Sequence, residues 1–392
     1  MQWATAKTIL GFYLVSRTAR ISIIYLRYEG MTYNIAISLA CHVDPGTFNL
    51  DAIQSEERRR CWAGLMMLYT IQSTMMGNPD PTFRTSSSVK LPADVNDTDI
   101  TPTAVQDPIP GPTQMSYLLF KFSLYNLTNQ ICRETFSPSD PSRAVIQNLD
   151  QQICLAQETW DSRYSQDSSF EVLPTHHAVH LHILHAYAHQ LFLLLHRPFF
   201  ARSILGLEIP NESQIRCIAS AEALVDIHKT LSTTPEFRPY MWYTNGLGSF
   251  HAFHAAAVLA VALLMPIYRP QYRKFRAVLE ETLERFEKMA ERSKICGKGS
   301  RILRFLLYVS LFSCSYQLTA SRAAPSPNQS MNIGSQSRNE DGACQRESWL
   351  GTDELRLFTE RLQPQQWLGP SNISWVSNIS LGFFGVRLTK AD

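Results

Sequence analysis

The chain has 392 residues, of which 45% are hydrophobic and 18% charged, and its formal net charge is +2. A chain of this length and composition can bury a large core, which excludes a wholly disordered protein. The near-neutral charge excludes a chain-wide basic field that attracts nucleic acid, so contact with phosphate would need a local basic patch.

The cysteines are scattered along the chain. No Cys-x-x-Cys pair occurs, whereas a zinc cluster needs several thiolates at short spacing. We therefore predict reduced, mostly buried thiols in a cytosolic or nuclear protein, with no bound metal and no cofactor. The eight are Cys41, Cys61, Cys132, Cys154, Cys217, Cys296, Cys314 and Cys344.

No segment has the pattern of a membrane or secretion signal. The N-terminal stretch MQWATAKTILGFYLVSRTARISIIYL is apolar, but Arg17 and Arg20 interrupt it and no small-residue cleavage site follows. This predicts that the chain has no signal peptide. The most apolar run, Ala255 to Ile267, is shorter than the roughly 20 residues of a membrane helix, so we expect a buried helix and no membrane partner.

The apolar periodicity is helical throughout, with no convincing alternating strand. Thr113, Asp140 with Pro141, and Asn211 are predicted to begin three amphipathic helices, because each starts with a capping residue or with proline at the first helical position. The pattern predicts an all-α fold, an irregular bundle or superhelix of about a dozen helices.

The last predicted helices are followed by a change of composition. A helix is predicted from Tyr272 to Lys294, with Gly297 and Gly299 ending it, and an apolar core helix from Arg301 to Leu318. The next segment is rich in Ser, Asn, Gln, Pro and Gly, which predicts a flexible linker. We expect a helical domain over residues 1–320, a linker over 321–347, and a tail over 348–392 whose tryptophans either dock back or form a weakly ordered appendage.

Five short sequence motifs, called phrases below, follow one another between Ser38 and Phe200. They are SLACHVD at Ser38 to Asp44, EERRRCW at Glu56 to Trp62, GNP at Gly77 to Pro79, the loop LPADVNDTD at Leu91 to Asp99, and HILHAYAHQLFLLLHRPFF at His182 to Phe200.

In this order the phrases resemble the regulatory region, often called the middle homology region, of fungal zinc-cluster transcription factors. Family members carry a helix ending in A-x-x-L-G-L-H-x-D, an acid before R-R-x-x-W-W, then G-R-P, an L-P-x-x-x-x-D loop and an L-L-H-R-P-F phrase. This chain departs from that pattern at Ala63, Tyr69 and Asn78. The resemblance covers roughly residues 1–200 and assigns a structural motif role to His42, Asp44, Glu57, Arg58, Arg59, Arg60, Trp62, Gly77, Pro79, Pro92, Asp97, His196, Arg197 and Pro198.

The resemblance implies a nuclear transcriptional regulator of fungal type, not an enzyme, that controls a metabolic or secondary-metabolite gene cluster. Its implied partners are other transcription factors or coregulator proteins and a small-molecule effector. The resemblance begins inside the region and no cysteine-rich head is found, so we expect an N-terminally incomplete domain that meets DNA only indirectly. Two alternatives stay open: a metal-binding protein or enzyme built on the helix from His176 to His196, and a truncated remnant without function.

Histidines crowd that predicted helix. His182, His185 and His189 share one face and fit the spacing of zinc ligands. No Glu or Asp lies between them on this face to complete a hydrolytic site, which favours a packing or surface role. The other histidines of the helix are His176, His177, His180 and His196.

Two basic runs offer either phosphate contact or a structural role. Arg58 to Arg60 follow Glu56 and Glu57, which favours pairing of arginine with acid and a core position for Trp62. In the run from Arg269 to Arg276, the interleaved aromatic residues fit base stacking, but they fit the buried stripe of a helix better.

Enzyme motifs such as a Gly-rich phosphate loop, G-x-S-x-G or H-E-x-x-H do not occur. Ser249 stands near His251 and His254 after two glycines. A turn of small residues that opens a helix is the favoured interpretation, because closeness in sequence does not build a catalytic triad.

Overall fold

The computed structural model describes residues 31–75, 89–107, 111–135, 141–165, 173–203 and 212–322. Helices hold 82% of these residues and no strand occurs among them, so the prediction of an all-α fold is confirmed. A short helix over residues 31–38 comes first. The longer helices that follow are α1 (Ala52–Met75), α2 (Ser116–Thr135), α3 (Arg143–Ser165), α4 (Thr175–Ser203), α5 (Glu212–Thr233), α6 (Ser249–Leu264), α7 (Tyr272–Met289) and α8 (Lys294–Arg322).

Helix α4 is central to the fold because it contributes to two hydrophobic cores. One core joins α4 to α2 and α3 around the fully buried Trp160 and Phe192. The other joins α4 to α5, α6, α7 and α8 around Phe275 and Phe286. Burial of such large side chains is the main favourable contribution to the stability of a domain of this kind.

The N-terminal residues attach to this body through α1. Trp62 of α1 packs with Ala36 and Cys41 in a small core next to the helix over residues 31–38. On its other side, α1 places Met67 against Phe122 of α2. Helix α1 therefore links the first two of the short phrases to the central helices.

Helix α6 is apolar on nearly every side, and the described side chains from His251 to Leu263 are all buried. The prediction of a buried helix here is confirmed as far as Leu264, where the helix ends before Pro266. Two described segments, Thr175–Arg197 and Pro235–Leu263, are long and apolar enough to cross a membrane by composition. Their most apolar windows are 56% and 89% buried inside the fold, as in core helices.

Cys41, Cys154, Cys217 and Cys296 carry free thiols. Cys41, Cys132, Cys217 and Cys296 are buried, Cys154 is half-buried and Cys61 is exposed. This distribution agrees with the prediction that most of the thiols are buried.

Several predicted boundaries can be compared with the structure. Thr113 lies just before α2, where its Oγ1 accepts hydrogen bonds from the backbone N–H groups of Met115 at 3.1 Å and Ser116 at 3.3 Å. Asp140 and Asn211 lie outside the described residues, as do Gly77 and Pro79. The predicted linker and tail also lie outside them, except that α8 extends to Arg322.

The prediction that Gly297 and Gly299 end a helix is wrong. Helix α7 ends earlier, at Met289, and both glycines lie in the first turns of α8. The new helix begins after Ser293, whose Oγ accepts a hydrogen bond from the N–H of Cys296 at 3.2 Å. Gly299 is needed for close packing, since a Cβ there would lie 3.0 Å from a ring carbon of Phe253 and 3.1 Å from one of Phe286.

The two glycines should therefore respond in opposite ways to alanine. Gly297→Ala is expected to raise the free energy of unfolding by up to about 1 kcal/mol, because alanine favours the helix and its Cβ meets only ordinary contacts. Gly299→Ala is expected to lower it by about 1–3 kcal/mol through overpacking. Urea unfolding of both variants measures the difference, and equal effects would contradict the packing role of Gly299.

Candidate functional site

Asp44 joins three segments of the N-terminal part. Its carboxylate accepts hydrogen bonds from Arg59 Nε at 3.3 Å and Nη2 at 3.1 Å, and from the backbone N–H groups of Lys90 and Gly46, each at 2.9 Å. The hydrogen bonds from Arg59 hold the pKa of Asp44 well below its ordinary value. Asp44 thus ties α1 to the turn Pro45–Thr47 and to the segment that contains Pro92.

Glu56 is the second acid of this network and is only 1% exposed. It accepts hydrogen bonds from Arg60 Nε at 3.1 Å and from the N–H of Ala93 at 3.0 Å. The other end of the Arg60 guanidinium pairs with Asp97 at 2.5 Å. Glu57, one of the three acids among the predicted motif residues, is exposed instead.

The remaining motif residues of this region surround the network. Arg58 donates a hydrogen bond to the carbonyl of Leu39 at 3.0 Å and lies over the ring of Phe48 at 5.4 Å. Trp62 is 4% exposed, and the half-buried ring of His42 lies 6.3 Å from it. The paired arginines and the buried tryptophan agree with the structural interpretation of this run.

A second polar cluster, around His196, joins α3, α4 and α5. His196 Nε2 lies 2.8 Å from Asp150 Oδ1, and its Nδ1 lies 3.0 Å from Ser213 Oγ. Arg216 donates to both oxygens of the same carboxylate, at 2.8 and 2.5 Å. Burial alone would raise the pKa of Asp150, but hydrogen bonds from His196 and Arg216 lower it. Ser213, His196 and Asp150 form a hydrogen-bonded row like that of a catalytic triad. Here, however, the bidentate Arg216 neutralises the Asp150 carboxylate, and the cluster holds three helices together.

Replacing Asp150 with asparagine is expected to lower the free energy of unfolding by about 2 kcal/mol, because it removes the charged acceptor of His196 and Arg216. The folded pKa of Asp150 is lowered, so its contribution is complete above the ordinary carboxylate pKa of about 4 and is lost as pH falls through the folded value. Chemical unfolding at pH 7 and pH 3 measures both effects. A variant as stable as the parent at pH 7 would contradict this role.

The three histidines with zinc-like spacing do not converge. Burial lowers the pKa of His182, and lowers that of His189 to about 4, so both rings are neutral at pH 7. Within the described part of the chain, no group of three His, Cys, Asp or Glu side chains comes together as a metal site. Each ring faces a different neighbour: His182 the ring of Phe237 at 5.8 Å, His185 the carboxylate of Asp161 at 2.9 Å, and His189 the hydroxyl of Ser220 at 3.4 Å.

Lys121 of α2 is a buried amine, 2% exposed, at the junction of α2 and α4. Its Nζ lies 4.9 Å from the ring centre of Tyr187, 5.1 Å from that of Tyr117 and 5.7 Å from that of Tyr125. Burial lowers the pKa of Lys121 to about 7. The aromatic faces attract the charged form, but they replace only part of the hydration that an ammonium group loses.

The segment around Ser249 is a turn of small residues, as predicted. A single wide turn, Thr244–Gly248, leads directly into α6, and Ser249 donates a hydrogen bond to the carbonyl of Thr244. His228 Nε2 lies 3.4 Å from its hydroxyl, while His251 and His254 contact other side chains.

The basic run before and within α7 holds two aromatic residues, of which Tyr272 is half-buried and Phe275 lies inside the fold. Phe275 is 0% exposed and therefore cannot stack on a base. Lys274 pairs with Glu222, and Arg276 pairs with Glu280 at 2.8 Å. These contacts favour the helix-stripe interpretation over a nucleic-acid surface.

A family of known proteins matches the region that contains the ionic network of Asp44 and Glu56. Residues 5–160 match the family described as "Fungal specific transcription factor domain". An uncharacterized transcriptional regulatory protein of Schizosaccharomyces pombe is 25% identical over 246 residues, 60% of this chain and 31% of the relative.

Two further relatives are named transcription factors. The pyrrolocin cluster transcription factor fsdR, of a fungal species, is 26% identical over 51% of this chain and 27% of its own length. Transcription factor lepE of Aspergillus flavus is 24% identical over 58% of this chain and 27% of its own length. The chain thus spans about a third or less of these relatives, and no solved structure matches it. The resemblance to the regulatory region of fungal transcription factors is confirmed.

Proposed function

We propose that this chain, which carries a fungal specific transcription factor domain in residues 5–160, is a nuclear transcriptional regulator that controls a metabolic or secondary-metabolite gene cluster. It acts through its helical domain, whose partners are other transcription factors or coregulator proteins. It meets DNA indirectly, through such a partner.

The observation that carries the proposal is the convergence of the family phrases within the matched region. Arg59 of the second phrase donates to Asp44 of the first, and Arg60 of the second donates to Asp97 of the fourth, so charge-assisted hydrogen bonds connect these three phrases. Side chains that the sequence places far apart serve one structural purpose here, and two arginines of the basic run are engaged by acids. Arginines that are paired with acids fit a regulatory domain that contacts proteins better than they fit a phosphate-binding surface.

The gene-cluster setting is supported by the name of one relative, a pyrrolocin cluster transcription factor. Raising and deleting expression of the chain in its own host, followed by transcript sequencing, tests it. We expect the genes of one biosynthetic cluster to change together. Changes scattered over the genome without such a group would contradict this part of the proposal.

A tethering experiment tests the regulatory function itself. The full chain is fused to a heterologous DNA-binding domain and a reporter gene is measured in a fungal host. We expect reporter output to differ several-fold from that of the DNA-binding domain alone, and a fluorescent fusion to collect in the nucleus. Reporter output equal to that of the DNA-binding domain alone, from a fusion present at the same level, would contradict the proposal.

A further inference from the structure

The first turns of α8 carry a row of cations on the outside of the fold. Lys294, Lys298 and Arg301 are exposed, and their spacing of four and three residues places them on one face of the helix. The 29 residues of α8 include no Asp or Glu. At a rise of about 1.5 Å per residue, this cation row extends over roughly 10 Å.

The cation row is not neutralised by the described part of the chain. None of its three members makes an ion pair or a side-chain hydrogen bond with another described residue. Other exposed lysines of the fold do have acidic partners. They are Lys229 with Glu281, Lys274 with Glu222, and Lys288 with Glu284.

Local electrostatics oppose this arrangement of charges. Cations three and four residues apart on a helix repel one another, and cations in the first turns of a helix also oppose its dipole. The cation row therefore costs stability in the chain alone, and an anionic partner would remove that cost. Residues that a helix disfavours locally are expected where a surface serves binding.

A groove lies beside the cation row, where the end of α7 meets the first turns of α8. Its volume is about 410 Å³. Arg301 and Arg304 line it from α8, while Glu287 and Glu291 line it from the end of α7 and the turn that follows. Arg304 balances the charge of Glu287 at 2.6 Å, whereas Glu291 has no ion-pair partner among the described residues. Arg301 belongs both to the row and to the groove.

These charges fit an acidic protein segment better than a nucleic acid. A nucleic-acid strand carries a phosphate about every 3.4 Å of a duplex, so a strand that contacts Arg301 across the groove would also bring phosphate to the Glu291 carboxylate. A polypeptide can instead place a carboxylate at Arg301 and an uncharged side chain in the groove near Glu291. Carboxylates are also the groups that arginine binds with two parallel hydrogen bonds.

We propose that the cation row and its groove bind an acidic segment of a coregulator protein. Carboxylates of the segment pair with Lys294, Lys298 and Arg301, and a neighbouring uncharged side chain of the segment lies in the groove. This inference rests on the proposed function, because it names the surface through which the helical domain contacts its partner and the chemistry of that partner.

Fluorescence anisotropy with the purified full chain tests the proposal. The probe is a labelled peptide whose glutamates recur at steps of four and three residues, and the reference is the same peptide with glutamine in their place. We expect saturable binding of the glutamate peptide that weakens with added salt. Binding of the glutamine peptide as strong as that of the glutamate peptide would overturn the proposal.

Two triple variants separate the cation row from net charge. The first, Lys294→Gln with Lys298→Gln and Arg301→Gln, is expected to weaken binding of the glutamate peptide at least several-fold. It should keep the Tm of the parent chain, because its changes are exposed and remove repulsion. The matched control removes the same charge from the paired lysines and should bind as the parent does: Lys229→Gln, Lys274→Gln and Lys288→Gln.

An equal loss of affinity in both triple variants would mean that binding follows net charge, which would overturn the proposal. A short DNA duplex that binds more tightly than the glutamate peptide, and that loses affinity in the first variant alone, would overturn it in favour of a nucleic-acid surface.

The reporter assay keeps this inference distinct from the regulatory function. We expect the first triple variant to lower reporter output and the control variant to retain it. Peptide binding with a silent reporter would support the surface while contradicting the regulatory function. An active reporter whose output is the same in the parent chain and the first variant would overturn the surface and leave the regulatory function intact.

Discussion

Replacing Lys121 with methionine is expected to raise the free energy of unfolding by about 2–4 kcal/mol at pH 7.5. The ammonium group gives up its hydration on entering a junction where it is 2% exposed, and the lowered pKa indicates that its surroundings return only part of that energy. Methionine fills a similar volume with a flexible apolar chain and has no such cost.

The pH dependence of stability identifies the cause. The folded pKa of Lys121 is about 7, below its ordinary value of 10.5, so the unfolded chain holds the proton more tightly than the folded one. The penalty is complete below pH 7 and declines as pH rises towards the ordinary value. The parent chain should therefore gain about 1.5 kcal/mol between pH 7 and pH 8.5 relative to the methionine variant.

Chemical unfolding at these two pH values measures both quantities. Lys288→Met is the matched control, because Lys288 is exposed and paired with Glu284, and its replacement should change stability by less than about 0.5 kcal/mol. A Lys121→Met variant that is less stable than the parent chain, or that shows the same pH dependence, would contradict the account of this buried amine.

Replacing Arg60 with methionine is expected to lower the free energy of unfolding by about 3 kcal/mol. The change removes the hydrogen bond to the carboxylate of Glu56, which is 1% exposed, and the ion pair with Asp97. Glu56 would keep the N–H of Ala93 at 3.0 Å and the more distant Arg59 at 4.0 Å. A buried carboxylate that has lost its main counter-charge is one of the more costly outcomes of a single substitution.

The neighbouring Arg58 provides a matched control for Arg60. Its contacts are one carbonyl and the face of Phe48, so Arg58→Met is expected to cost at most about 1 kcal/mol. Urea unfolding of the two variants under identical conditions gives the comparison. If both variants lose the same free energy of unfolding, the buried ion pair of Arg60 with Glu56 contributes no more to stability than the contacts of Arg58 do.

The pairing of arginine with acid was predictable from the sequence, but the partners were not. Acids beside Arg58 to Arg60 indicated ion pairs within one helix, and the contact of Arg60 with Glu56 follows that rule. Asp44 and Asp97 lie in other segments, and only the folding of those segments onto α1 brings them to Arg59 and Arg60.

The spacing of histidines along α4 predicts which of them share a helix face, but it does not predict which side chains each ring contacts. Spacing placed His182, His185 and His189 on one side of α4, and the structure keeps them there. Helices α3 and α5 flank that side, so His185 turns to an acid on α3 and His189 to a hydroxyl on α5. Nothing in the local spacing specifies these neighbours.

The positions of Gly299 and Lys121 in the fold depend on contacts with residues that are far away in sequence. Gly299 has the local pattern of a helix stop, but packing against Phe253 and Phe286 overrides that preference. Lys121 did carry a local signal, since it stands four residues after Tyr117 and four before Tyr125, on the buried side of α2. A charged residue on an apolar stripe marks such a site, although burial by α4 is visible only in the structure.

A double-mutant cycle on Asp44 and Arg59 tests the central claim most directly, namely that the separated family phrases form one ionic junction that fixes the domain. The stabilities of Asp44→Ala, Arg59→Ala and the double variant are compared with that of the parent chain. We expect a coupling energy of about 1–3 kcal/mol, because the two side chains share two hydrogen bonds in a half-buried setting. Effects that add to within about 0.3 kcal/mol would mean that the two residues act independently, which contradicts the claim.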